Sequence, residues 1–272
     1  MAAIVTSLMS CEPSPLDVDS LKIPDTGIVI NSMILRDSSV AVLVTQSMRP
    51  LQATDEADPR KLIASVAIND ATVSVTANGL RYNLALWRDG VYKSTDIPLI
   101  PGRQYELDVV SKSFGQASAT TILQPPVALV SATATPAQSQ YNTRGVQVGY
   151  SLHDPPGSNH YLVAIQRPKH ESDIDLLLLP MAYTHAIDDK AFNDTEFSET
   201  FIATTKDLLP GDTVEVSLSN VSADYYDYVV MRMENQLKLA ELFSEPVYYP
   251  SNIRGGRGFF TLYLSDVKVM VL

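Results

Sequence analysis

The stretch that decides the fold is residues 209–263, which read LPGDTVEVSLSNVSADYYDYVVMRMENQLKLAELFSEPVYYPSNIRGGRGFFTLY. Its start, Thr213 to Leu218, alternates apolar and polar residues as a half-buried strand does. A helix is predicted over about residues 222–243, because Ser222 is a good N-cap and apolar residues follow at three- and four-residue spacing. Those apolar residues are Tyr226, Val229, Val230, Met233, Leu237 and Ala240. An amphipathic helix needs a surface to cover, so we expect it to lie on a sheet formed by the flanking strands.

The composition around this stretch is that of a folded, β-rich protein. A chain of 272 residues is long enough for two domains of ordinary size. Hydrophobic residues make up 45% and charged residues 19%, which argues against long disordered segments. Many tyrosines, prolines and short Val/Ile/Thr runs favour strands and turns. We therefore expect a mostly β protein with two β-sandwich domains of the immunoglobulin or prealbumin type, the second carrying the long helix.

Turn signals divide the N-terminal part into short predicted strands. Leu62 to Ile68 and Thr72 to Thr76 are such runs, and Asn78-Gly79 is a strong turn signal. The paired prolines Pro125-Pro126 interrupt strand pairing and indicate a linker. The predicted organisation is a signal remnant and tether over residues 1–24, a first sandwich over residues 25–124 and a second sandwich over residues 125–272.

The charge balance disfavours nucleic acid as a partner. The chain has 20 basic and 31 acidic side chains, for a net charge of −11, and phosphate binding depends on Lys and Arg. The acidity either keeps the protein soluble or recruits cations and basic partners. No stretch reaches about twenty apolar residues, so no membrane-spanning helix is predicted.

The single cysteine lies in a sequence that indicates lipidation. Leu8-Met9-Ser10-Cys11 resembles a bacterial lipobox, in which a small residue precedes the cleavage point and the cysteine thiol accepts the lipid. The alternative is an ordinary buried cysteine. Because the apolar run before it is short and has no Lys or Arg, we expect the true start to lie upstream. Glu12 to Pro24 is polar and contains proline, as a tether does.

Several common motifs of catalysis and metal binding are absent from the sequence. It has no GxSxG or HExxH motif and no phosphate-binding glycine loop. The acidic residues Asp188, Asp189, Asp194 and Glu196 form either a solvated loop or a cation site, and we favour the solvated loop. We predict no cofactor and no metal. A pair of carboxylates for glycoside hydrolysis meets only in space, so this possibility stays open.

The candidate ligand-binding residues are tyrosines around the predicted helix, namely Tyr225, Tyr228, Tyr248 and Tyr249. Tyrosines stack on sugars and bury well at interfaces. In the alternative interpretation, packing of the helix explains them, with Tyr226 on the buried stripe and Tyr225 and Tyr228 on one flank. The apolar run Leu176 to Leu179 is either a core strand or an edge that docks on a neighbour.

The order of several short motifs resembles one known family. The motifs are Gly90 to Ser94, Pro101 to Tyr105, Asp154-Pro155-Pro156-Gly157 with Asn159 and Tyr161, Asp189 with Phe192-Asn193-Asp194, Pro210-Gly211-Asp212, Tyr225-Tyr226-Asp227-Tyr228, Phe243-Ser244-Glu245-Pro246 and Ser251-Asn252-Ile253-Arg254-Gly255-Gly256. They resemble the Bacteroidota outer-membrane lipoprotein family known as domain of unknown function 4249, from about Cys11 to Tyr263. The resemblance implies a lipid-anchored envelope protein of a kind commonly found beside TonB-dependent transporters. It implies no established activity.

These observations lead to one preferred hypothesis and two alternatives. The preferred hypothesis is a non-enzymatic lipoprotein, anchored through Cys11 in the outer membrane at the cell surface, that serves a TonB-dependent transporter by binding a ligand or a partner. Its ligand would be a small molecule, a glycan or a peptide, held in a concave aromatic pocket. An adhesion or envelope-assembly lipoprotein would instead present a flat apolar patch. A hydrolase would bring two carboxylates together in a cleft.

Overall fold

The structure, a computed structural model, describes residues 27–47, 59–138, 144–168, 184–205, 208–236 and 249–272. Its first elements are β1 (Ile28–Ile34), β2 (Val40–Gln46), α1 (Pro59–Val66), β3 (Thr72–Ala77), β4 (Leu80–Arg88), β5 (Val91–Ser94), β6 (Gln104–Ser111) and β7 (Gly115–Ile122). The later elements are β8 (Leu129–Gln138), β9 (Arg144–His153), β10 (His160–Gln166), β11 (Thr184–Asp188), β12 (Glu196–Thr204), β13 (Thr213–Val221), α2 (Ala223–Gln236), β14 (Gly256–Phe259) and β15 (Ser265–Val271). The protein is mostly β, which confirms the predicted fold class.

The first sandwich is built from one sheet that folds over on itself. Its strand order is β14-β1-β2-β5-β4-β3-β6-β7, and β4 bends so that its first half pairs with β3 and its second half with β5. At the other side, Ser118 of β7 and Arg254 exchange two backbone hydrogen bonds of 2.9 and 2.8 Å, which join the two sheet edges. The enclosed core includes Ile30, Tyr105 and Phe260.

One predicted strand in this domain is wrong. Leu62 to Ile68 was expected to be a strand, but helix α1 occupies Pro59–Val66. Ile63 of α1 packs on Ala41, Leu43 and Val91, which form a small cluster on the outer face of the sheet. To cover a patch this small, a helix needs only about one turn of apolar residues. An apolar run that short is compatible with a strand as well as a helix, so the local sequence does not distinguish the two.

The second sandwich has a four-stranded and a three-stranded sheet. The strand orders are β11-β10-β13-β15 and β12-β9-β8, an arrangement shared by immunoglobulin-like and fibronectin type III domains. Alternation along β13 places Val214, Val216 and Leu218 in the core between the sheets. The residues between them, on the opposite face of β13, point toward the first domain.

Helix α2 begins where the sequence predicts, and its described part ends at Gln236. The Ser222 hydroxyl accepts a hydrogen bond from the backbone N–H of Tyr225 at 3.4 Å, as an N-cap does. Tyr225 and Tyr228 are buried, and Tyr226 is half-buried and packs against the same apolar cluster. The helix packs on β10 and β11 of its own domain and also on Phe259 of β14. Tyr225 and Tyr228 contact Phe259, which is why they are buried.

The segment after α2 returns to the first domain. Strand β14 pairs in parallel with β1, and Ile253, Phe260 and Leu262 lie in the first core. The chain then re-enters the second domain as β15, a strand that the sequence analysis did not separate from the apolar run before it. The second predicted domain, residues 125–272, therefore includes a stretch that the structure places in the first sandwich.

Close approach explains why this stretch is rich in glycine. A Cβ on Gly256 would lie 2.6 Å from the carbonyl oxygen of Ile28, and a Cβ on Gly258 would overlap the carbonyl oxygen of Ile30. Gly258 also has a φ of +97°, which L-residues rarely adopt. Glycine here permits β14 to lie against β1.

Several predicted features lie outside the described residues. They are Cys11 and the tether before residue 25, the run Leu176 to Leu179, residues 237–243 of the predicted helix, and Tyr248. Within the residues that the structure does describe, no helix is long and apolar enough to cross a membrane.

Candidate ligand-binding cleft

A cleft of about 580 Å³ lies between the two domains. Ligand sites for small molecules usually measure about 300 to 1,000 Å³ and occur preferentially at domain interfaces. The first domain contributes β1 and the turn after it, and the second contributes the outward face of its four-stranded sheet. Helix α2 and the segment that follows β14 complete the wall. The cleft is thus of a size and at a position typical of ligand binding.

The floor of the cleft has four small side chains, Ala164, Ser217, Ser219 and Ser265, among its nine residues. The strand register aligns three rows across β10, β13 and β15, namely Leu162–Ser219–Ser265, Ala164–Ser217–Val267 and Gln166–Glu215–Val269. All nine residues line the cleft. The Ser219 and Ser265 hydroxyls are hydrogen-bonded to each other at 2.7 Å. Because alanine and serine side chains fill little space above a sheet, an open cleft remains between this floor and the first domain.

One end of the cleft is aromatic. Tyr225 stacks on Tyr228 and on Tyr263, with ring centroids 5.9 and 5.8 Å apart, and both Tyr225 and Tyr228 contact Phe259. Arg232 donates a hydrogen bond to the Tyr228 hydroxyl at 3.0 Å. Burial raises the pKa of Tyr225 well above its ordinary value, so its phenol stays neutral. This end offers aromatic surface with neutral hydroxyl groups.

The other end of the cleft carries an ion pair between the domains. Arg36, on the turn after β1, donates a hydrogen bond from Nη2 to Oε2 of Glu215 on β13. The Glu215 side chain is 4% exposed and the Arg36 side chain 49% exposed. Next to Arg36, the Ser39 hydroxyl and then Lys93 lower the pKa of Asp37. The carboxylate of Glu215 is buried, whereas half of the arginine remains open to solvent.

The chain matches a family model over residues 12–268, nearly its whole length. It belongs to the family described as Domain of unknown function (DUF4249). This confirms the family resemblance. Among solved structures, the DUF4249 chain is similar to the FN1-FN3 domains of chicken CNTN1, at 11% identity, 89% coverage of this chain, 68% coverage of that chain and a TM-score of 0.24. No curated protein matches it.

The predicted site residues of this DUF4249 protein are divided by the structure. Tyr225 and Tyr228 line the cleft while they also belong to a small core with Val229 and Phe259. Tyr249 is 40% exposed and meets Tyr228 edge to face at 6.3 Å, but it does not line the cleft. Tyr225 and Tyr228 therefore belong both to a packed core and to the wall of the cleft.

Arg36, Glu215 and the serines of the floor were not identified as site residues from the sequence. Arg36 and Glu215 are 179 residues apart in the chain, and no local pattern connects them. Glu215 and Ser217 are polar positions of the alternation predicted over Thr213 to Leu218, but Ser219 and Ser265 lie outside it. The only indication of the floor in the sequence is therefore the polar outward face of this predicted strand.

The acidic motifs of the DUF4249 chain form a structural network instead of lining the cleft. Asp154 is fully buried and accepts hydrogen bonds from the Tyr161 hydroxyl and the Asp194 backbone N–H. Asp189 is buried as well and accepts one from the Asn159 backbone N–H at 2.6 Å. Within the described ranges, no group of three or more His, Cys, Asp or Glu residues is placed to hold a metal ion. These carboxylates tie two loops of the second sandwich together.

A second polar cluster lies across the edge of this sandwich. Glu199 of β12 accepts a hydrogen bond from the Tyr150 hydroxyl at 2.6 Å and lies 3.0 Å from Nε2 of His185 on β11. Burial and the Glu199 carboxylate raise the pKa of Tyr150. The His185 ring stacks on Phe201 with centroids 4.8 Å apart. The cluster links the two sheets and is separate from the cleft.

Proposed function

We propose that this chain is a non-enzymatic lipoprotein of the outer membrane, anchored through Cys11 at the cell surface, that binds a ligand in the inter-domain cleft for a TonB-dependent transporter. The observation that carries the proposal is the cleft itself. It is concave, has an aromatic end in Tyr225 and Tyr228, and contains a few polar groups, as binding sites for small ligands do. The preferred hypothesis from the sequence requires a pocket of this kind.

The chemistry of the cleft favours binding over hydrolysis. Glu215 is the carboxylate among the described residues that line it, and this carboxylate is buried against Arg36. Glycoside hydrolysis needs two carboxyl groups on either side of the bond that is cleaved. A single paired carboxylate supplies neither a free general acid nor a free nucleophile.

Lipid anchoring would place a binding protein beside the transporter that it serves. A ligand held by a protein that is tethered beside a transporter has a raised effective concentration at the entrance to the pore. Cys11 and the polar segment Glu12 to Pro24 are the sequence features that support the anchor and the tether. Such an arrangement would aid uptake by binding alone, without a catalysed reaction.

The first test is affinity purification of the protein from detergent-solubilised outer membrane. We expect a TonB-dependent transporter to co-purify in stoichiometric amounts, and we expect Cys11→Ala to lose both membrane association and the transporter. Protease treatment of intact cells should remove the folded domains if they face outward. Recovery of the wild-type protein alone would contradict the transporter assignment.

A structural role is the second candidate, and one observation favours it. Val267, Val269 and Val271 on the edge strand β15 are 42%, 61% and 68% exposed, which is a large apolar surface for a strand with a single sheet neighbour. An adhesion or assembly lipoprotein would use such a surface for protein contacts. Val271→Lys, at the position that does not line the cleft, should abolish those contacts but leave ligand binding intact.

A further inference from the structure

We propose that an exposed patch on the first domain, formed by Trp87 and Arg88, docks on the surface of the bilayer to which the chain is anchored. The partner is an anionic lipid surface, in which the indole ring lies at the level of the headgroups and the guanidinium group binds their phosphates. This inference rests on the anchoring through Cys11 in the proposed function. It adds the face that the anchored protein presents to the membrane.

A tight turn and a β-bulge at the end of β4 position the patch. Residues 89 and 90, which connect β4 to β5, both have positive φ angles, as a type I′ hairpin requires. The register between the two strands shifts between Leu86 and Arg88, so Trp87 has no partner on β5. A bulge turns a side chain away from the regular alternation of a strand. The Trp87 side chain is accordingly left 42% exposed at the surface.

Two basic groups lie against the Trp87 ring, and one of them is compensated within the chain. Cζ of Arg88 is 4.2 Å and Nζ of Lys93 is 5.2 Å from the ring centroid. Lys93 is ion-paired with Asp37 at 3.1 Å. Among the described residues, Arg88 forms no ion pair with a carboxylate. A guanidinium group over an aromatic ring keeps N–H donors at its edge, and such donors bind phosphates well.

The patch lies at the end of the first domain where the chain arrives from Cys11. The backbone N–H of Ser47 donates a hydrogen bond to the Gly27 carbonyl at 2.9 Å, and that of Val44 donates one to the Gly90 carbonyl at 2.8 Å. Strands β1 and β5 therefore flank the same end of β2, with Gly27 roughly 14 Å from Gly90 at ordinary strand spacing and rise. The 16 residues from Cys11 to Gly27 span at most roughly 55 Å. An anchor at Cys11 thus keeps the patch within reach of the bilayer.

A lipid surface suits this combination of an indole ring and a guanidinium group. Tryptophan is enriched where membranes meet water, because its ring is apolar and its N–H needs a polar partner. One basic residue near an anionic bilayer strengthens binding by about fivefold. The net charge of −11 opposes such a contact, so a local basic group is needed for it. Because the anchor raises the effective concentration of the surface, two side chains are enough to orient the domain.

Tryptophan fluorescence tests the inference, because the chain has one tryptophan, Trp87, and one cysteine, Cys11. The full-length chain is coupled through Cys11 to a maleimide lipid in phosphatidylglycerol vesicles, with or without bromine on the acyl chains. We expect Trp87 emission to shift to shorter wavelength and to be quenched by the brominated lipid, since bromine quenches only at short range. Arg88→Gln should lower the ratio of docked to undocked protein, calculated from the quenched fraction, by about fivefold.

Arg81→Gln is the matched control, because it removes the same charge from the same strand. Arg81 is exposed near the other end of β4, 7 residues before Arg88 and roughly 23 Å away at the rise of a strand. Emission from this variant should be quenched as in the wild type. A purely structural contact between Arg88 and Trp87 would produce no quenching by the brominated lipid in any of the three proteins.

Three results would overturn the inference: no quenching in brominated vesicles, equal quenching of Arg88→Gln and wild type, or equal loss of quenching in Arg88→Gln and Arg81→Gln. The chemical coupling makes the test independent of native lipidation and of the transporter. If the transporter co-purifies while Trp87 is not quenched, the docking surface is wrong and the accessory role stands. If Trp87 is quenched while no transporter co-purifies, the docking surface stands and the accessory role is wrong.

Discussion

Gly258 lies where the segment after α2 presses against the first domain, and its replacement by alanine tests how tightly the domains are joined. In the β1–β14 register Gly258 is opposite Ile30. An added Cβ would overlap the carbonyl oxygen of Ile30 and would lie 3.0 Å from the backbone carbon and nitrogen of the same residue. Backbone atoms of a paired strand cannot rotate away as a side chain can. The strand β14 would have to move.

Two terms set the expected cost of Gly258→Ala. The φ of +97° is unfavourable for any L-residue and costs about 1–3 kcal/mol. Relief of the overlap adds an overpacking cost of about 1–3 kcal/mol, and each backbone hydrogen bond of β14 that is lost adds about 1 kcal/mol. We therefore expect the free energy of unfolding to fall by about 3–5 kcal/mol, a large fraction of the roughly 5–15 kcal/mol of an ordinary protein.

Urea unfolding followed by circular dichroism measures this change, and Gly102→Ala is the matched control. Gly102 has a similar positive φ of +77°, but a Cβ there would meet no heavy atom within 4 Å. The control should lose only the conformational term, about 1–2 kcal/mol. Equal losses for the two variants would refute the reasoning, because the contact of β14 with β1 would then contribute nothing beyond backbone strain.

Three further variants test individual side chains. Asp37→Asn should lower the free energy of unfolding at neutral pH by less than about 1 kcal/mol, because the carboxylate is largely exposed. Ser39 lowers the pKa of Asp37 below its usual 3.8, so the contribution is present above that pH and is lost as the pH falls through the folded-state pKa; urea titrations at several pH values measure it. Tyr161→Phe removes a hydrogen bond to the fully buried Asp154 carboxylate and should cost about 1–3 kcal/mol in urea unfolding. Asn252→Ala removes three side-chain hydrogen bonds to the backbone and should cost about 2–3 kcal/mol, measured in the same way.

Each of these variants has an outcome that would contradict its structural basis. A constant difference between Asp37→Asn and wild type down to pH 2 would show that the native carboxylate is not stabilised. Tyr249→Phe, at an exposed position, is the control for Tyr161→Phe, and equal stability of the two variants would argue against the buried contact with Asp154. For Asn252→Ala, unchanged stability would mean that the backbone around residue 252 does not depend on the amide.

The parts of the fold that depend on local physics are predictable from the sequence. The alternation over Thr213 to Leu218 predicts β13 with its inner and outer faces, and Ser222 predicts the start of α2. Two β-sandwiches follow from the spacing of turns and short strands. Local patterns fail at α1, because Ile63 covers a patch whose partners lie on β2 and β5.

The candidate site is predictable only in part. Tyr225 and Tyr228 were identified because aromatic residues cluster around a helix, and both lie in the wall of the cleft. Tyr249 was selected on the same ground, but it lies outside the lining, since the cleft follows the inner flank of α2. Arg36 and Glu215 carry no signal in the sequence, because an isolated arginine on a turn and a glutamate in a strand are each ordinary.

The sequence by itself therefore determined the β architecture, the helix start and the family, all of which depend on neighbouring residues or on motif order. The tertiary structure decided which strand β14 joins, and thereby how the two sandwiches enclose a cleft. Parallel pairing of β14 with β1 connects residues more than 200 positions apart, and only the folded chain brings their backbone groups together. The size of the cleft depends on that pairing, because β1 and the segment after β14 form the wall opposite the floor of β10, β13 and β15.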